Sequence, residues 1–135
     1  MLRQILSFDD FFQLGKDLQL TGTWVELGVC QGKQSVKFLD NGPQSKLLMV
    51  DLWGPVDAYT SVDGEDNFAE TVKNLAGYDP SLYHVFKMTT NEASTRVEDG
   101  SLDFIYLDAG HMYKDVMEDL KHWWPKLKKV RANQS

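Results

Sequence analysis

Glu26, Asp51, Asp108 and His111 are the residues whose types and spacing could do chemistry. Glu26 opens the stretch Glu26-Leu27-Gly28-Val29-Cys30-Gln31-Gly32, an acid inside an apolar run followed by two glycines. Gly28 and Gly32 let the backbone turn tightly and approach a ligand that a Cβ would keep away. A helix beginning after Gly32 would offer free N–H groups to a carboxylate or phosphate. Asp51 ends the next apolar run, Leu47-Leu48-Met49-Val50. An acid about 20 residues beyond a glycine turn is where nucleotide-binding folds accept hydrogen bonds from ribose hydroxyls. The turn is not GxGxxG, and it offers little bare backbone for a pyrophosphate. That favours a nucleoside without one. Asp108 ends a further apolar run and is a hard oxygen ligand suited to magnesium or calcium. His111 follows in a glycine-containing turn, and its ordinary pKa of about 6.5 suits proton abstraction from a hydroxyl. Plainer roles exist for each: a strand-to-helix turn, a solvated strand end, a helix-capping acid, a surface imidazole. Cys30 has no sequence partner and reads as a packing residue.

These groups need a scaffold that brings strand ends together. Strands are expected over residues 24–28, 47–50, 83–88 and 102–107, alternating with helices over 33–39, 67–76, 91–97 and 114–124. A leading amphipathic helix carries Phe8, Phe11, Phe12 and Leu18 after a capping box at Ser7 to Asp10. Asn91 or Thr90 is expected to cap the short third helix of that alternation. The last helix places Tyr113, Val116, Met117, Leu120 and Trp124 in one register. The segment from Trp53 to Asp66 reads as a long loop, a candidate lid carrying Trp53 and Tyr59. Alternation of this kind gives an α/β domain, a Rossmann-like parallel sheet with flanking helices, spanning residues 1–135 as a single unit. In such a sheet ligands bind at the C-terminal strand ends, near the switch point.

Composition narrows the function classes. The chain has 135 residues and a net charge of −6, which argues against a nucleic-acid surface. The basic tail, Lys126, Lys128, Lys129 and Arg131, reads as a solvated end. No apolar run suggests a membrane span, and the N-terminus lacks a secretory pattern. One cysteine fits a reducing, cytoplasmic setting.

The segment Trp24 to Gly32 resembles motif I of class I S-adenosylmethionine-dependent methyltransferases. Val50-Asp51-Leu52-Trp53 is similar to the acidic end of their second strand. Asp103 to Tyr113, with Val116, Asp119-Leu120 and Trp123-Trp124-Pro125, resembles motif IV of a small-molecule O-methyltransferase branch. The resemblance implies that Glu26 orients the loop and the amino acid end of the cofactor, S-adenosyl-L-methionine. It implies that Gly28 and Gly32 line that end, that Asp51 binds the ribose diol, and that Thr90, with Thr89 and Asn91, meets adenine. Asp108 aligns with a carboxylate that holds a divalent metal, Mg2+, and His111 with the base that deprotonates the acceptor. Methyl would pass to a hydroxyl of a small molecule. After Lys128 the similarity stops, without the Gly-Gly turn, fifth strand and acidic pair of relatives. The expectation is therefore a C-terminally truncated domain with about four strands, an incomplete metal site and a sheet edge open to association. Two other readings stand beside it: an inactive fragment that binds the nucleoside cofactor or a protein partner, and an NAD-linked oxidoreductase domain.

Overall fold

The computed structural model describes residues 8–54, 64–108 and 113–129. The elements run α1 (Phe8–Asp17), β1 (Thr23–Leu27), α2 (Lys33–Asn41), β2 (Lys46–Asp51), α3 (Gly64–Leu75), β3 (Tyr83–Lys87), α4 (Thr90–Ser94), β4 (Leu102–Leu107) and α5 (Tyr113–Trp123). Short 3-10 turns sit at Pro80–Leu82 and Trp124–Lys126. The four strands form one sheet in the order β3-β2-β1-β4, and every pairing is parallel. No described helix is long and apolar enough to cross a membrane.

Parallel strands covered on both faces should be apolar on both faces. In β1, four of five residues are buried, and its side chains alternate between two cores. Trp24 enters a core with Phe12 of α1, Phe38 of α2 and Leu75 of α3. Val25 and Leu27 enter the other, with Ala93 of α4 and Trp123 of α5. Trp24 is stacked on Phe104 at 4.3 Å and meets Phe38 edge-on at 5.9 Å. Its indole N–H donates to the Leu20 carbonyl at 2.8 Å, so the ring is buried with its polar atom satisfied.

Several expectations need correction. The third helix starts at Gly64, so residues 64–66 belong to it and not to the loop. Its buried face is Gly64, Asn67, Thr71 and Leu75, while Val72 is exposed. Among the α5 side chains described, Asp119 and Trp123 are buried and Met117 and Leu120 are exposed; Trp124, also exposed, belongs to the 3-10 turn that follows. Leu18 lies beyond α1 and is exposed. Thr89, not Thr90 or Asn91, caps α4, accepting from the Glu92 N–H at 3.1 Å. The described part of the basic tail is not simply solvated. Lys126 pairs with Asp99 and Lys128 with Asp103, each at 2.9 Å. Leu127 forms a parallel bridge to Leu102 at the start of β4. Ser7 and Tyr59 lie outside the described residues.

Candidate active site

Register decides where the candidate residues meet. Leu27 is level with Val50 of β2 and with Leu107 of β4. One residue later on each strand come Gly28, Asp51 and Asp108. The Gly28 N–H donates to the Val50 carbonyl, and the Asp108 N–H donates to the Leu27 carbonyl, both at 2.8 Å. Three separate segments thus end on one rung, at the C-terminal edge. Chain order reverses here: β2 and β3 lie to one side of β1, and β4 to the other. This is the switch point at which α/β sheets open a crevice.

The glycine loop is held from two directions. Asp51 Oδ2 accepts from the N–H groups of Val29 at 2.9 Å and Cys30 at 2.8 Å. Its Oδ1 accepts from the Trp53 N–H at 2.8 Å. From the opposite side the Cys30 carbonyl accepts from the Trp53 indole and from the Thr71 hydroxyl, each at 2.7 Å. The Gln31 carbonyl accepts from the Asn74 amide at 2.8 Å, and the Gln31 amide donates to Asn67 at 3.1 Å. Gly28 (φ 97°) and Gly32 (φ 81°) have left-handed backbones, and so does Cys30 (φ 58°). A non-glycine residue rarely adopts this conformation unless neighbours fix it. Hydrogen bonds on both its N–H and its carbonyl supply that restraint. A Cβ on Gly32 would press on the Thr71 methyl at 3.2 Å, so the loop lies directly against α3.

Glu26 is fully buried on the aromatic side of β1, two residues before Gly28. The Ser35 hydroxyl of α2 donates to its Oε1 at 2.5 Å, and Oε2 has no partner among the described residues. Burial pushes its pKa up to about 8; the Ser35 bond opposes this, and the charges of Asp108 and Asp51 add to it. The carboxyl is therefore mostly protonated near neutral pH, and the unpartnered oxygen is the natural seat of the proton. Burial, with Asp108 and Glu26 beside it, also raises the Tyr106 hydroxyl. Glu26 has no hydrogen bond to the glycine loop; Asp51 takes that role.

The remaining predicted residues divide. Asp108 is exposed at the end of β4. His111 lies outside the described residues. Among the described residues no group of three or more His, Cys, Asp or Glu could hold a metal ion. The described donors around Asp108 therefore do not fit the several-oxygen shell of Mg2+. The Thr90 hydroxyl donates to the buried Asp119 of α5 at 2.6 Å, and its carbonyl accepts from the Trp123 indole at 3.1 Å. Thr90 thus locks α4 to α5, while Asn91 is exposed beside it. Trp53, expected in a lid, is buried against Phe68 and tied to Cys30.

Ser35, Asn67, Thr71 and Asn74 escaped the sequence reading. The available signal was Asn67 and Thr71 at helical spacing on a face that ends in Leu75. Polar residues on the buried side of an amphipathic helix indicate backbone groups waiting to be satisfied.

A parallel sheet with flanking helices, and with a glycine loop and an acid at its switch point, defines a Rossmann-like α/β domain. A family model described as a methyltransferase domain matches residues 25–130, and the chain belongs to that family. Its Rossmann-like parallel sheet is similar in fold to those of solved putative S-adenosylmethionine-dependent methyltransferases. The uncharacterized protein y4gI of Sinorhizobium fredii is 31% identical over 83 residues, 62% of this chain and 9% of that protein. A putative S-adenosyl-L-methionine-dependent methyltransferase from Methanococcus maripaludis aligns with a TM-score of 0.59 at 15% identity, over 95% of this chain and 63% of that one. The putative methylase HI0767 of Haemophilus influenzae gives 0.60 at 10% identity, over 93% and 76%. At such identities the structural likeness is one of fold. The chain spans less than a tenth of the length of y4gI.

Proposed function

We propose that this domain binds S-adenosyl-L-methionine over the β1–β4 crevice and transfers its methyl group to a hydroxyl of a small molecule. One observation carries the reading: the common rung that brings the glycine loop, Asp51 and Asp108 to one edge of the sheet. Gly28 and Gly32 would line the amino acid end of the cofactor, the turn at Gly32 being packed against α3. Asp51 uses three acceptor sites on backbone N–H groups, and a carboxylate offers about four. One remains for a ribose hydroxyl. Adenine would meet Asn91, since Thr90 is committed to Asp119. Asp51 and Asp108 give the crevice a negative field suited to a sulfonium and an ammonium group.

In the transfer, the acceptor oxygen bonds to the methyl carbon as the carbon–sulfur bond breaks, and the electron pair stays on a neutral thioether. The acceptor's proton leaves to a base, the role the family resemblance gives to His111. Holding the two reactants in line supplies much of the rate. Metal assistance is no part of this proposal. A cytoplasmic setting, a small-molecule acceptor and association through the open edge of β4 belong to the same reading.

Calorimetric titration with S-adenosylmethionine, S-adenosylhomocysteine and NAD tests it. The first two should bind and NAD should not. Asp51→Ala should weaken S-adenosylhomocysteine at least about tenfold, because both the loop and the diol lose their acceptor. Unchanged affinity in that variant, or preference for NAD, would overturn the site. A radiolabelled methyl-transfer assay then separates turnover from a domain that only binds. The latter reading is favoured because no group of three or more His, Cys, Asp or Glu among the described residues could hold a metal ion beside Asp108.

A further inference from the structure

The hydrogen bonds on the outer side of the glycine loop come from α3 and Trp53, outside the motif itself. In a trans peptide the carbonyl and the following N–H point in opposite directions. No described peptide bond is cis. Trp53 and Thr71 draw the Cys30 carbonyl toward α3. The Gln31 N–H must therefore point away from α3. Asn74 draws the Gln31 carbonyl the same way, which turns the Gly32 N–H inward onto the Val29 carbonyl at 3.0 Å. The Gln31 N–H has no acceptor among the described residues. It stands just before the first turn of α2, where Gly32 provides no side-chain cap. An uncapped helix start beside an unmet N–H favours an anionic oxygen.

We propose that Thr71 and Asn74 are positioning residues: by holding the Cys30 and Gln31 carbonyls outward, they aim the loop's N–H groups at the carboxylate of a bound amino-acid-bearing nucleoside. This rests on the reading that the domain binds S-adenosylmethionine, and it extends that site to α3. Three features make α3 a clamp rather than simple packing. Its buried face carries Asn67 and Thr71 in place of apolar residues. The Thr71 hydroxyl reaches Cys30 although its own helix offers the Asn67 carbonyl at 2.9 Å. Cys30 is held in a left-handed conformation that it would otherwise leave.

The test compares two ligands that share the nucleoside and thioether. S-adenosylhomocysteine has the amino acid end; 5′-methylthioadenosine lacks it. Thr71→Val and Asn74→Ala should each raise the dissociation constant for S-adenosylhomocysteine about tenfold, the loss of one positioned hydrogen bond. Both should leave 5′-methylthioadenosine within about twofold of the wild type, a change near the uncertainty of the measurement. Thr71→Ser, which keeps the hydroxyl, should restore the wild-type value. Equal weakening of both ligands, or no change in either, would overturn the positioning role. If the wild type binds neither ligand, the cofactor reading falls. Amide exchange over residues 29–32 then judges the clamp on its own. It should quicken in Thr71→Val while β1 keeps its protection, and unchanged loop exchange would overturn the clamp.

Discussion

Glu26 shows how a single side chain can set a pH dependence. Its folded-state pKa of about 8 lies above the ordinary value of 4.5. The folded protein keeps a proton that the unfolded chain releases between these values. The resulting stabilisation is fully present below about 4.5 and is lost as pH rises through about 8. Urea denaturation should therefore show the wild type losing stability between pH 6 and pH 9. Glu26→Gln, neutral throughout, should lose much less. A parallel decline in both proteins would assign the effect to other groups. The acid and its place in a strand were legible from its apolar neighbours. Its partner was not, because Ser35 reaches it only through the packing of α2 on the sheet. Asp51 shows a similar limit. Its spacing pointed to ribose, yet its protein contacts in the structure are to loop N–H groups, a role that spacing cannot reveal.

Among the elements, the strands were the most legible and the helix faces the least. Strand positions follow from short apolar runs, two of them ending in an acid, and all four strands appear close to where those runs lie. Helix faces depend on what each helix meets. In α5 the periodic apolar residues Met117 and Leu120 face outward, as does Trp124 just beyond it, whereas Asp119 and Trp123 are buried against α4. The deciding interaction is a hydrogen-bonded contact between α4 and α5 that hydrophobic periodicity cannot register. Thr90→Val keeps the shape of the side chain and removes one donor from the buried Asp119 carboxylate. It should cost about 1–3 kcal/mol in denaturation, the usual penalty for taking a hydrogen-bond partner from a buried polar group. Full stability in this variant would return Thr90 to the free, ligand-facing role that the family resemblance gave it.

For the whole molecule, the parallel sheet and its flanking helices were expected from the alternation of elements, and the family match covers the same stretch. The strand order was not legible, because β4 joins β1 across most of the chain and local pattern has no reach over that distance. On its outer edge β4 has Leu127 bridged at its first residue, Leu102, and no other strand among the described residues. Unpaired strand edges promote association. Sedimentation velocity should show mass rising with protein concentration, and a monomer at every concentration would count against association through this edge. The same strand order also bears on the time course of folding. β1, β2 and β3 pair with sequence neighbours, but the β1–β4 contact must close a long loop and should form late. The crevice lies between those two strands, so a ligand would have nothing to grip until the slowest pairing is complete. In a refolding experiment, recovery of ligand binding should lag behind recovery of helical signal, and adding ligand should slow unfolding more than it speeds folding.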